Sequence, residues 1–254
     1  MSKFEDKYYL FANWKMYLDL AESVNLATAL KKEEAGFADK VKMVLFPSAL
    51  AMNEVAKVMR GAVTAVGAQN VHWVDKGGYT GEVSAPMCAA AGSQYALVGH
   101  SERRHLFHET NHEVRQKIEA VLGAGLTPVL CAGERTEERD AGKTLEAVEI
   151  QLRAAFDGLT WPAGRELIVA YEPVWAIGTG NACDPAEAEK AHKYINDLMG
   201  ELMPGIIPVL LYGGSVRPNN VADYLRQEHV QGVLVGGASA KLESWVEIVK
   251  VCTM

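Results

Sequence analysis

Glu172 is the residue whose position most invites chemistry. It follows Leu167 to Tyr171, five largely branched or aromatic residues that read as a short buried strand, and it precedes Pro173, which cannot extend a ladder. A carboxylate at the C-terminal edge of a buried strand sits where α/β proteins place ligands. Beyond it, Pro173 fixes φ and Gly178 and Gly180 free it, with the apolar Val174, Trp175, Ala176 and Ile177 held between. That is the layout of a hinged cap. An ordinary strand-to-helix connection whose Trp175 packs on the core has the same composition, so the rest of the chain must decide.

Three further groups supply company. Gly99-His100-Ser101-Glu102-Arg103-Arg104 sets an imidazole at a strand end, directly before a Ser-Glu helix start whose N-terminus can hold the ring neutral. Asn13-Trp14-Lys15 closes the first strand, and strand alternation predicts that Asn13 and Lys15 point the same way. A lone Lys after a strand is ordinarily a solvated charge, so Lys15 gains weight from its neighbours. Tyr212-Gly213-Gly214-Ser215 and Val235-Gly236-Gly237-Ala238-Ser239 are glycine signals after two later strands, where backbone N–H groups can approach a phosphate.

His108-Glu109-Thr110-Asn111-His112 satisfies the H-E-x-x-H pattern of zinc peptidases. Thr110 and Glu113 form a capping box, however, so the helix starts near Thr110 and the two histidines cannot share a helical face. No metal site is expected there.

These residues need elements to position them. Strand-like runs recur at Tyr8 to Ala12, Val41 to Phe46, Val63 to Ala68, Tyr95 to Gly99, Thr127 to Cys131, Leu167 to Tyr171, Pro208 to Tyr212 and Gly232 to Val235. Amphipathic helical patterns fall near Leu18 to Lys32, Ala49 to Arg60, Asn111 to Ala124, Lys143 to Phe156, Pro185 to Met203, Asn219 to Gln227 and Lys241 to Cys252. Eight β-then-α units in 254 residues, about 32 residues each, match a (β/α)8 barrel better than an open sheet. No Pro-, Ser- or charge-rich linker marks a boundary, so a single barrel domain over residues 1–254 is expected, with its site on the loops that follow the strands.

Composition narrows the partners. A net charge of −7 argues against nucleic acid and anionic membranes, which demand basic surfaces, but not against a small phosphate held by backbone N–H groups. No run approaches the ~20 apolar residues of a membrane span, and the first residues lack a signal-peptide layout, so a cytoplasmic protein is expected. Cys88, Cys131, Cys183 and Cys252 lie far apart with no C-x-x-C pair, which suggests neither a zinc ribbon nor a disulfide framework. The irregular stretch Trp73 to Glu82 carries Trp73, Val74 and Tyr79 among glycines, and an exposed apolar loop often means a partner.

With Asn13-Trp14-Lys15, Gly99 to Arg104, Ala170 to Gly180, Tyr212 to Ser215 and Gly236-Gly237 in this order, the chain resembles the triosephosphate isomerase family over essentially its whole length. The resemblance implies that Glu172 is the base interconverting dihydroxyacetone phosphate and D-glyceraldehyde 3-phosphate through an enediolate. It implies that neutral His100 polarises the carbonyl, that Lys15 and Asn13 stabilise the developing charge, and that Glu102 pairs with Lys15. It makes 173–180 a lid, comprising Pro173, Val174, Trp175, Ala176, Ile177, Gly178, Thr179 and Gly180, with Gly178, Ser215, Gly236 and Gly237 gripping phosphate. Ile177 and Leu234 would desolvate Glu172, and Tyr212, Ser101 and Cys131 would support the site. It implies a homodimer in which Thr80 enters a neighbouring subunit beside Asn13 and Glu102, while Glu82 pairs with Arg103. No metal or organic cofactor is implied. Asn181, Ala132 and Ala240 depart from the usual family pattern, as do His108 and His112. Another phosphosugar barrel would share the glycine loops without the Asn13, Lys15, His100, Glu172 set. A non-catalytic metabolite-binding barrel would be expected to have lost the base or the electrophile, and both are present.

Overall fold

The computed structural model describes residues 7–37, 39–178 and 182–253. Eight parallel strands close in sequence order: β1 (Tyr8–Asn13), β2 (Val41–Phe46), β3 (Ala65–Ala68), β4 (Tyr95–Val98), β5 (Thr127–Ala132), β6 (Ile168–Tyr171), β7 (Val209–Tyr212) and β8 (Gly232–Val235), with β8 pairing back onto β1. The helices are α1 (Leu20–Glu33), α2 (Ala49–Val58), α3 (Ala85–Ala90), α4 (Ser101–Leu106), α5 (Asn111–Gly123), α6 (Thr136–Asp140), α7 (Thr144–Phe156), α8 (Pro185–Leu202), α9 (Val221–Leu225) and α10 (Leu242–Thr253). This is the expected (β/α)8 barrel. Among the described residues no helix is long and apolar enough to cross a membrane.

Several expected elements shorten at an end, and three short helices were not expected. The third strand begins at Ala65, because Val63 is exposed and its N–H, like that of Thr64, is taken by the Glu34 carboxylate instead of a ladder. The helix expected over Asn219 to Gln227 shrinks to Val221–Leu225. The short helices α3, α4 and α6 span one to two turns, too little for the 3.6-residue period to register in the sequence.

Side-chain alternation sorts the core into two layers. Tyr9 and Phe11, Val129 and Cys131, Ile168 and Ala170, Val209 and Leu211, and Leu234 fill the barrel interior. Leu10, Ala12, Leu130, Val169, Tyr171, Leu210 and Tyr212 face outward beneath the helices. At the N-terminal mouth Glu166 accepts hydrogen bonds from Tyr9 (2.8 Å) and Tyr95 (3.2 Å) and pairs with Lys42 (2.6 Å), closing that end with a polar plug.

At the other end the same period runs one step past the packed interior. Two residues beyond Phe11, Cys131, Ala170, Leu211 and Leu234 come Asn13, Gly133, Glu172, Gly213 and Gly236, which form the rim of the C-terminal mouth. The site therefore follows from strand phase.

Candidate active site

Glu172 is 2% exposed and His100 6%, so both ionisable groups lie at the floor of the mouth instead of in solvent. His100 Nε2 stands 3.1 Å from Glu172 Oε1, and the Ser101 N–H donates to Glu172 Oε2 at 2.7 Å. His100 is also the N-cap of α4: its Nδ1 accepts the Glu102 N–H at 3.2 Å. A nitrogen that accepts from a peptide has its lone pair free, so a neutral ring carries its proton on Nε2, pointed at the carboxylate. Gly99 adopts φ 71° to bring the ring there, and a Cβ at that position would stand 2.7 Å from the Arg104 guanidinium. Arg104 ties the ends of two strands together, donating to the carbonyls of Gly99 (2.7 Å) and Cys131 (3.3 Å). Desolvation holds its pKa below the usual arginine value. Cys131 is fully buried under the site. Burial first, then the nearby Glu172 charge, pushes its thiol pKa well up, so it is no nucleophile.

Lys15 reaches the site by a different route from the one alternation suggests. Strand β1 ends at Asn13, and Lys15 has left-handed backbone geometry, φ 47°. A non-glycine residue there is strained and needs fixing. Asn13 Oδ1 accepts the Lys15 N–H (3.0 Å), and the Gln69 amide donates to the Lys15 carbonyl (2.8 Å) and to the Phe46 carbonyl (2.9 Å). The Lys15 ammonium pairs with Glu102 Oε1 at 2.7 Å. Gln69 gave no signal in sequence, since a side chain that serves a distant backbone carries no spacing motif.

The glycines make room. A Cβ at Gly213 would lie 2.9 Å from Glu172 Cγ, one at Gly214 would lie 2.2 Å from the Tyr212 hydroxyl, and one at Gly236 would lie 3.1 Å from Lys15 Cε. Tyr212 itself packs outward, stacked on Tyr224 at 3.9 Å between ring centroids.

Pro173 begins a 3-10 turn over Val174–Ala176, and Gly178 has φ 72°. Trp175 is anchored on both sides: its Nε1 donates to Glu134 (2.7 Å), and the Arg139 guanidinium lies 3.6 Å from its ring centroid. Glu134, 1% exposed, also accepts from the Tyr171 hydroxyl (3.0 Å), while burial raises its carboxyl pKa. Sequence reasoning missed this residue. Thr179, Gly180 and Asn181 lie outside the described residues.

The mouth encloses a cavity of about 230 Å³. Asn13, Lys15, His100 and Glu172 line one side; Ile177, Gly178, Ser215, Leu234, Gly236 and Gly237 line the other, together with Tyr17 and Arg217, which were not anticipated. A second cavity of about 160 Å³ flanks Lys15, walled by Gln69, Asn70, Glu102, Arg103 and Phe107. Thr80 and Glu82 sit apart on an exposed loop closed at its base by the His72 N–H to Val83 carbonyl bond (2.8 Å) and stiffened by His72, which stacks on Trp73 and packs tilted against Tyr79. Within the chain Arg103 pairs with Glu109 at 2.8 Å. The capping box at Thr110 and Glu113 is present, with the exposed His108 before it and the exposed His112 within its first turn.

A family model described as triosephosphate isomerase matches residues 8–252. A triosephosphate isomerase from Rubrobacter xylanophilus is 43% identical over 242 residues, covering 94% of each chain. One from Fusobacterium nucleatum is 40% identical over 241 residues, covering 94% of this chain and 96% of the other. One from Syntrophotalea carbinolica is 39% identical over 245 residues, covering 95% and 97%.

Proposed function

This chain belongs to the triosephosphate isomerase family, and on that premise we propose how its residues divide the work of isomerising a triose phosphate. The observation that carries the reading is the buried pair of Glu172 and His100, 3.1 Å apart beneath glycine-lined loops. Dihydroxyacetone phosphate enters the 230 Å³ cavity with its phosphate toward Ser215, Gly236, Gly237 and Gly178, whose backbone N–H groups grip the dianion. The substrate oxygens take the place of Glu172 Oε1 at His100 Nε2. The Glu172 carboxylate removes a proton from one carbon, the electron pair forms the enediolate, and the same carboxyl returns the proton to the adjacent carbon, giving D-glyceraldehyde 3-phosphate.

His100, neutral and protonated on Nε2, donates to the oxygen on which charge develops and passes protons between the two oxygens. Lys15, held in place by Asn13 and paired with Glu102, supplies the fixed positive charge. Residues 173–180 act as the lid. Ile177 and Leu234 exclude water from the carboxylate, and the Trp175 anchor to Glu134 sets one hinge. Ser101 and Cys131 support the floor, and Tyr212 backs the Gly213-Gly214 turn.

The protein works as a homodimer in this reading. The exposed Met16 and Phe107 and the 160 Å³ cavity beside Lys15 are suited to receive the Thr80 loop of a second copy, with Glu82 reaching Arg103 across the contact. The reaction calls on no metal or organic cofactor. Glu189, Glu228 and His229 could hold a metal ion by their spacing, but none of them lines either cavity.

Glu172→Gln keeps shape and removes the base. In a coupled assay of glyceraldehyde 3-phosphate conversion its kcat should fall by about 10² to 10⁴ with KM little changed. Normal turnover in that variant would end the assignment.

A further inference from the structure

Gln151 lies on α7, outside the pocket and apart from every group assigned above. Strand β5 ends at Ala132, and Gly133 is buried just beyond the ladder. Gln151 Oε1 accepts the Gly133 N–H at 3.0 Å while its Nε2 donates to the Gly133 carbonyl at 2.9 Å. One side-chain amide thus supplies, in both directions, the pairing a neighbouring strand would have given.

Gly133 is in turn the surface on which the backbone of Glu172 rests. A Cβ at 133 would stand 1.7 Å from the Glu172 carbonyl oxygen and 3.1 Å from its Cα. The flanking carbonyls of Ala132 and Glu134 accept the N–H groups of Glu172 (2.8 Å) and Val174 (3.1 Å). Residues 132–134 therefore form a rail that carries both the Glu172 backbone and the first residues of the lid, and Gln151 fastens the middle of it.

We propose that Gln151 is a positioning residue for the isomerisation, fixing the Gly133 peptide and through it the point from which the Glu172 carboxylate reaches its proton. The inference rests on the reading of Glu172 as the base. A shift of about 1 Å in a reacting group costs on the order of 10²-fold in rate. Of the four groups proposed to grip phosphate, Ser215, Gly236 and Gly237 follow β7 and β8, away from β5, and Gly178 alone rides on the segment that the rail carries, so loss of the clamp should lower kcat and change KM little.

Gln151→Met keeps length and volume and removes both hydrogen bonds. At a temperature where circular dichroism shows the variant folded, its kcat should fall by about 10- to 10²-fold with KM within about twofold. Gln151→Glu retains the acceptor for the Gly133 N–H, loses the donor, and should fall between Gln151→Met and the parent; it serves as the test if Gln151→Met does not fold. The decisive comparison is a double-mutant cycle with Glu172→Gln. If the clamp acts through the carboxylate, the double variant is no slower than Glu172→Gln alone. A kcat for Gln151→Met within twofold of the parent overturns the proposal, as does a change confined to KM, or a double variant that loses the same factor again. Parental turnover in Glu172→Gln would instead overturn the base assignment, whatever Gln151 does.

Discussion

Replacing Glu109 by Ala should be among the most damaging single changes outside the pocket. Its carboxylate, 3% exposed, accepts the Gly99 N–H at 3.2 Å and Arg103 Nε at 2.8 Å, and it pairs with the Lys117 ammonium. Lys117 is 4% exposed at its side chain and otherwise reaches Asn70 Oδ1 at 2.8 Å. Desolvation lowers its pKa, and Glu109 is the largest influence opposing that fall. Removing the carboxylate strands a buried ammonium, which costs about 3–5 kcal/mol, and leaves a buried N–H unpaired beside His100. For a domain of this size 1 kcal/mol moves Tm by roughly 2–4 °C, so a loss of about 6 to 20 °C is expected. The check is urea unfolding by tryptophan fluorescence at fixed protomer concentration, with Lys117→Met in the Glu109→Ala background as the second arm. Removing both charges should recover much of the loss, since an apolar replacement of a buried pair is often near neutral. The sign with pH is also set. Glu109 raises the folded pKa of Lys117, so without it the lysine gives up its proton at a lower pH than in the parent, and the Glu109→Ala deficit should shrink as pH rises from the variant's value to the parent's, both below 10.5, and stay level above it. A deficit under about 1 kcal/mol, or a double variant no better than the single, would refute the account.

Three other outcomes are expected. Thr80→Arg puts a desolvated charge where a second copy is proposed to dock, so light scattering should report monomers of low activity; a parent protein already monomeric at micromolar concentration would sink the dimer reading. Burial raises the folded pKa of Glu134, so its contribution to stability is full below the ordinary carboxyl value of 4.5 and is lost as pH rises through the elevated folded value. The unfolding free energy of the parent relative to Glu134→Gln should therefore decline with pH over that window, and a flat difference would contradict the burial argument. Replacing residues 176–179 by a two-residue link should depress isomerisation and release inorganic phosphate and methylglyoxal with only a modest loss of Tm, whereas normal turnover without phosphate release would make the segment mere packing.

The barrel was legible because short, continuously apolar runs, as strands buried on both faces require, alternate with 3.6-period helices, and every strand run in the sequence corresponds to a strand. Glu172, His100 and the glycine pairs were legible because each ends a strand, where the fold directs side chains into one mouth. Lys15 lines the mouth by a route other than the expected one: alternation stops at Asn13, and a left-handed residue held by Asn13 and Gln69 turns the ammonium inward. Gln69, Glu134 and Gln151 escaped notice because each serves a backbone or side chain brought near only by closure of the barrel. Glu109 lay inside the false zinc pattern, so the signal was present but misassigned: the residue between two exposed histidines is a buried structural carboxylate.

The polar plug at the N-terminal mouth gives the molecule two ends with separate duties. Tyr9, Lys42, Tyr95 and Glu166 satisfy one another at the strand starts, while every group proposed to meet substrate sits at the strand ends. Variation can therefore accumulate at one end as a reserve of stability without being felt in turnover. A lineage, or a laboratory library restricted to those four positions, could raise its tolerance for heat first and draw on that margin later to accept costly changes around the lid.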